Sequence, residues 1–164
     1  MADIGTPTTH ETRPRGRSSY PVANNVTLYP GALVQVNTSG AAGVDGCLDH
    51  WDKTGIFVGI VVGGDANTTA GGILGDSSES PRPEARVDES GAIITHVNVT
   101  GAAQTDVGNL VYCATSNPAD MTITDAANAV VGRLVRFRTA SDCDVELFTP
   151  AEHRAGVAGT TWTT

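Results

Sequence analysis

Residues 29–40 read Tyr29-Pro30-Gly31-Ala32-Leu33-Val34-Gln35-Val36-Asn37-Thr38-Ser39-Gly40, and the pattern returns in degraded form at 107–118 as VGNLVYCATSNP. Both copies hold Gly-x-Leu-Val followed by Thr-Ser and then Gly or Asn. Each is followed by a second apolar run centred on Val-Gly: FVGIVV at 57–62 and VVGRLV at 130–135. Gly31 to Gly108 spans 77 residues and Gly59 to Gly132 spans 73, so the elements keep their spacing while the loops vary. That is the signature of an internally duplicated β unit. It argues against a pocket built around one unique motif.

Composition agrees with a β reading. The 164 residues suffice for one domain with a proper core. Nineteen Gly, eight Pro and short apolar runs between turn residues predict an all-β fold, a single small β-barrel or sandwich-like domain. With only 5% aromatic residues, the core must be mostly Val, Ile, Leu and Ala. A net charge of −8 disfavours direct nucleic-acid binding, which needs a clustered surplus of Lys and Arg. Lys53 is the one lysine, and three of nine arginines, Arg13, Arg15 and Arg17, fall within five residues. No run approaches the roughly 18 apolar residues of a membrane helix, and no signal-peptide core is present. The expectation is no membrane partner and synthesis in a reducing cytoplasm. Cys47, Cys113 and Cys143 are too far apart in sequence to signal zinc or a redox pair.

Taken in order, residues 1–21 are Thr-, Pro-, Arg- and Ser-rich and cannot close a core, which predicts an extended N-terminal arm. Fully extended, about 20 residues reach roughly 65 Å, enough to cross a neighbouring subunit. The β-rich domain is expected over 22–149, with Val34 and Val36 on one face of their strand and 56–62 covered on both faces. Residues 63–83 predict a long loop, functional or mobile. Strict alternation over 93–100 puts Ile93, Thr95, Val97 and Val99 on one face and His96 on the other. Over 130–138 it puts Leu134, Arg136 and Arg138 together, opposite Val135 and Phe137. Arg136 and Arg138 then lie side by side, open to a partner or solvent. Residues 125–129 predict one helical turn. Thr149-Pro150-Ala151-Glu152 has capping-box spacing with Pro at the first helical position, predicting one short C-terminal helix over 150–155 and a polar tail to 164.

Catalytic and cofactor chemistry is not signalled. Gly71-Gly72-Ile73-Leu74-Gly75-Asp76 lacks the Gly-Lys-Ser/Thr of a phosphate cradle. Asp49-His50-Trp51-Asp52 offers two carboxylates and an imidazole, but a strand would turn the two Asp to opposite faces, so a solvated loop with a packed Trp is the reading preferred. His10, His50, His96 and His153 are scattered without ligand spacing. Ala42-Gly43-Val44-Asp45 resembles the Gly-Val-Asp segment of trimeric dUTPases, but the following Tyr and a Gly-rich C-terminal phosphate arm are missing. The expectation is no enzyme, no metal and no cofactor.

The Arg/Pro-rich arm, the Pro-Gly-Ala-Leu-Val strand, the repeated Val-Gly strands and the closing VGRLVRFRTASDCDVEL segment together resemble the head decoration, or cement, proteins of tailed bacteriophages. The resemblance covers roughly residues 20–148. It implies a compact β body, usually a homotrimer, on the outside of the expanded capsid, clamping contacts between subunits of the major capsid protein. The residues expected to touch capsid or a neighbouring subunit are Arg13, Arg15, Arg17, Tyr20, Arg136 and Arg138. The alternative is a carbohydrate- or surface-binding β module, with Trp51, Trp162, Tyr20 or Tyr29 stacking on sugar rings.

Overall fold

The computed structural model describes residues 16–41, 44–125 and 129–158. Arg13 and Arg15, the Ala42-Gly43 pair, most of the expected helical turn at 125–129 and the tail from 159 lie outside the described residues. The fold is all-β with one C-terminal helix. Its first half holds β1 (Arg17–Pro21), β2 (Thr27–Leu28), β3 (Leu33–Val36), β4 (Leu48–His50), β5 (Ile56–Gly64), β6 (Ile73–Leu74) and β7 (Glu84–Asp88). The second holds β8 (Ile93–Val97), β9 (Val99–Thr100), β10 (Leu110–Tyr112), β11 (Met121–Thr122), β12 (Val130–Thr139) and β13 (Asp142–Leu147), followed by α1 (Pro150–Ala158).

The duplication read from the sequence is present in the hydrogen-bond register. The first sheet runs β1-β7-β5-β3-β4 and the second β8-β13-β12-β10-β11-β9. Val34 pairs with Gly59, and Val111 with Gly132, with a bulge immediately after each valine. Next to them, Gly31 N–H donates to the Val61 carbonyl at 2.8 Å and Gly108 N–H to the Leu134 carbonyl at 2.7 Å. Both glycines have positive φ, 93° and 99°, a conformation in which a side chain would be strained. The next hairpin repeats as well: Val61 pairs with Val87 and Leu134 with Val145, each followed by a bulge. Even the closure is copied. Val22, just past β1, bridges Leu48 in parallel, and Val99 pairs with Met121 in parallel. The two ends of each sheet therefore meet at these pairs, and each half is a small barrel closed there, which shortens the exposed edges of an open sheet without removing them.

Each barrel has its own core. Val22, Val34, Leu48, Val58, Val61, Ala85 and Val87 pack in the first, and the counterparts Val99, Val111, Met121, Val131, Leu134, Cys143 and Val145 in the second. Leu33, Trp51 and Phe57 come from the first half but pack into the second cluster and join the barrels. Trp51 is 1% exposed and its indole Nε1 donates to the Cys113 carbonyl at 2.6 Å, while Leu33 N–H donates to the Ser116 carbonyl at 2.8 Å.

Four sequence expectations are corrected. The β-rich domain includes β1 and does not begin at Val22, because residues 17–21 pair in full register with β7, from Arg17 opposite Asp88 to Pro21 opposite Glu84. The stretch is polar because it is a sheet-edge strand. In β12 a bulge at Val135 breaks strict alternation, so buried Leu134 shares the core side with Phe137 and not with Arg136. In β8, His96 adopts a left-handed φ of 59° and shifts the pleat, so Ile94 and Val97 pack on the core while Ile93 is 57% exposed. The 63–83 loop is organised by β6, which pairs with β2 as Leu28 opposite Ile73.

The capping box forms as expected. Glu152 N–H donates to Thr149 Oγ1 at 3.2 Å and Thr149 N–H to Glu152 Oε2 at 2.8 Å. The helix itself runs to Ala158, one turn longer than its Gly156 suggested.

Candidate functional site

Two surface loci, one on each barrel, carry the four expected contact residues that are described, Arg17 and Tyr20 on the first and Arg136 and Arg138 on the second. The first is the root of the arm. Strand alternation sends Ser18 and Tyr20 to one side of β1, and both donate to Glu89, just past β7: Ser18 Oγ to Oε1, and Tyr20 OH to Oε2 at 2.8 Å. Tyr20 also packs on the first core, and burial together with the Glu89 carboxylate pushes its phenol up to about 12. Tyr20 is thus a structural tie between β1 and the end of β7. Arg17 leans the other way, its side chain 72% exposed and its Nε 3.8 Å from Asp88 Oδ2. At that exposure and distance the pair contributes little stability and leaves the guanidinium available.

The second locus lies where β12, β13 and β8 meet. Arg138 forks onto Asp144 (Nη1 to Oδ1 2.8 Å, Nη2 to Oδ2 2.9 Å) and also donates from Nη1 to Asp142 Oδ1 at 3.0 Å. His96 Nδ1 lies 2.9 Å from the same Asp142 oxygen, and its backbone N–H donates to Asp144 at 3.3 Å. The Arg138 hydrogen bonds hold the Asp144 carboxyl below its ordinary range and raise the guanidinium in turn. Arg138 is therefore committed to the carboxylates of its own barrel, whereas Arg136 faces solvent. The two arginines that the sequence placed side by side thus differ in their hydrogen-bond partners.

On the first barrel, β1, β5 and β7 border a shallow groove of about 240 Å³ lined by Ser19, Gly64, Asp65, Glu84 and Arg86. A neighbouring groove of about 360 Å³ shares Asp65 and adds Glu79 and Arg82. The mixture of charges and the open shape fit a polypeptide surface better than an enclosed small-molecule pocket.

The Asp49-His50-Trp51-Asp52 segment is structural. Asp52 accepts from the buried Gln35 Nε2 at 2.7 Å and from Thr54 N–H at 2.9 Å, and these bonds fix the turn leading into β5. Trp51, being buried, offers no face to a sugar ring, which removes it from the carbohydrate reading. Among the described residues, no three His, Cys, Asp or Glu side chains cluster to hold a metal ion. No described helix is long and apolar enough to cross a membrane. Cys47, Cys113 and Cys143 are buried free thiols.

Sequence reasoning missed Glu89, which anchors the arm root, and His153, which lies 4% exposed between the barrels and α1. A signal for His153 existed: it is the fourth residue after the Thr149 cap, where a helix turns a side chain back toward the body. Comparison of the chain with protein-family models, with curated proteins and with solved structures finds no match in any of the three.

Proposed function

We propose that the chain is a structural virion protein that binds the outer surface of an expanded phage capsid and stabilises contacts between major capsid subunits. The observation that supports this most is the way the arm enters the body. Residues 1–15 precede Gly16 and β1, a five-residue strand paired along its whole length with β7. Ser18 and Tyr20 fasten its core-side face to Glu89. A pull directed along β1 would load the β1–β7 hydrogen bonds together. That suits an attachment strap on a rigid body.

The duplicated barrels fit the same reading, since two closed barrels expose little free sheet edge. An acidic body stays soluble at high copy number, and the basic arm supplies cations for a partner. In this reading Arg13, Arg15, Arg17 and Arg136 face the capsid or a neighbouring subunit, while Tyr20 and Arg138 support them from within. The assembled form is a homotrimer.

Co-sedimentation with expanded heads tests the proposal, alongside solution mass by light scattering. The full chain should bind saturably as a trimer. Removing residues 1–15, which stops short of β1, should reduce attachment and leave the circular dichroism unchanged. A monomer that does not sediment with heads would overturn the reading, and equal binding by the truncated chain would remove the arm from it.

A further inference from the structure

Among the described side chains of α1, His153 alone is buried, at 4% exposure; Ala151, Glu152, Arg154 and Ala155 face solvent. Its imidazole stands edge-on to Trp51 (centroids 5.4 Å apart, planes at 89°) and tilts by 45° over Phe57 at 5.6 Å. The ring is hydrogen-bonded to the Val130 backbone, and Nε2 is buried without a hydrogen-bond partner. The helix is thus held at its start by the Thr149–Glu152 box and, one turn on, by an imidazole set in an aromatic notch.

Among the described residues, none is placed to receive a second ring proton. β5 carries no titratable residue. On the β4 side, Asp49 accepts from the His50 N–H and Asp52 from Gln35 and Thr54. His50, beside Trp51, has a buried unpartnered Nδ1 of its own. From β12, Arg133 pairs with Glu146 of β13 at 2.6 Å and acts on Glu152, and Arg154 is exposed. None of these groups forms an ion pair with His153. A proton on Nε2 would place an unpaired charge between two aromatic rings and the barrel, which is costly. Lifting the helix off relieves that cost without breaking any strand pairing.

We propose that α1 is a proton-released latch: protonation of His153 at Nε2 undocks the helix from β5 and uncovers Trp51 and Phe57 while both barrels stay folded. Burial keeps the docked imidazole below its ordinary value, so the docked form binds fewer protons than the released one. Docking is therefore complete above about pH 6.5 and weakens as pH falls below it, by at most about tenfold per pH unit for one linked proton.

The test uses the full chain with Trp162→Phe, which leaves Trp51 as its single indole. Acrylamide quenching of Trp51 is followed from about pH 8 to about pH 5 beside far-ultraviolet circular dichroism, with and without His153→Leu. A rise in quenching below about pH 6.5, with the β signal unchanged and no rise in the His153→Leu chain, is the expected result. Flat quenching, or the same rise in the leucine chain, overturns the proposal. Quenching that only follows loss of the β signal is ordinary acid unfolding and overturns it too. Should His153→Leu not fold, His153→Phe serves the same comparison.

Discussion

Gly59 and Gly132 occupy the same position of the repeat and face the same kind of obstacle. A Cβ on Gly59 would lie 2.1 Å from the Asp88 carbonyl oxygen, and one on Gly132 would lie 2.2 Å from that of Glu146. These are backbone atoms of the adjacent strand, so no rotamer relieves the clash. Gly59→Ala and Gly132→Ala should each cost on the order of 3 kcal/mol, read as a fall in the urea midpoint. Gly59→Ala should be the worse, because φ at Gly59 is also +147°. A cost below about 1 kcal/mol for either would mean the strands do not approach this closely.

The same two glycines show why part of the duplication was legible and part was not. Close approach admits only glycine, so Val-Gly survives in both copies and the 77- and 73-residue offsets are visible. The β7/β13 relation, 58 residues from Ala85 to Cys143 and from Val87 to Val145, escaped notice. There the fold demands only a small or aliphatic residue at alternate positions, and EARVD and DCDVEL share little else. β1 and β8 share less still, since β1 is a polar edge strand whose pairing comes from its backbone. At the arginine locus, alternation failed at Val135 because a bulge is a backbone event that the side chains around it do not announce.

Arg136 and Arg138 should therefore respond differently to substitution. Arg138→Ala leaves Asp144, 7% exposed, without its fork and leaves Asp142 with His96 but without its arginine partner. The chain should lose stability, and the Asp144 carboxyl should titrate at higher pH than in the parent. Arg136→Ala should change stability by no more than about 0.5 kcal/mol while reducing attachment to heads. Chemical denaturation and carboxylate titration by NMR read both arms of the comparison. Equal destabilisation by the two substitutions would contradict the separate roles.

Trp51 is a joint between barrels, so its loss should be felt as stability and not as ligand binding. Trp51→Ala removes a buried indole packed edge-on to Phe57 at 5.2 Å and should cost about 3–5 kcal/mol. Trp51→Phe keeps most of the apolar contact but leaves the Cys113 carbonyl without its indole donor, a cost of about 1–3 kcal/mol. Urea unfolding of the two variants gives both numbers. A Trp51→Ala chain as stable as the parent would dissolve the joint.

Tyr20 makes the arm root sensitive to alkali, and the sign follows from linkage. Its phenol titrates near 12 in the folded chain, against about 10 when unfolded, because burial and the Glu89 carboxylate both oppose the tyrosinate. The folded state therefore holds a proton that the unfolded state has lost between those values. The contribution is fully present below about pH 10, declines as pH rises toward about 12, and is gone above it. Glu89→Gln removes one of the two causes but keeps an acceptor for the Tyr20 hydroxyl. Burial continues to act, so the phenol should move down without reaching its unfolded value. Tyrosinate absorbance during an alkaline titration follows this directly, with Tyr20→Phe identifying the transition. If Glu89→Gln leaves the Tyr20 transition where it was, Glu89 does not govern it and the strap's fastening must be sought in the β1–β7 backbone alone.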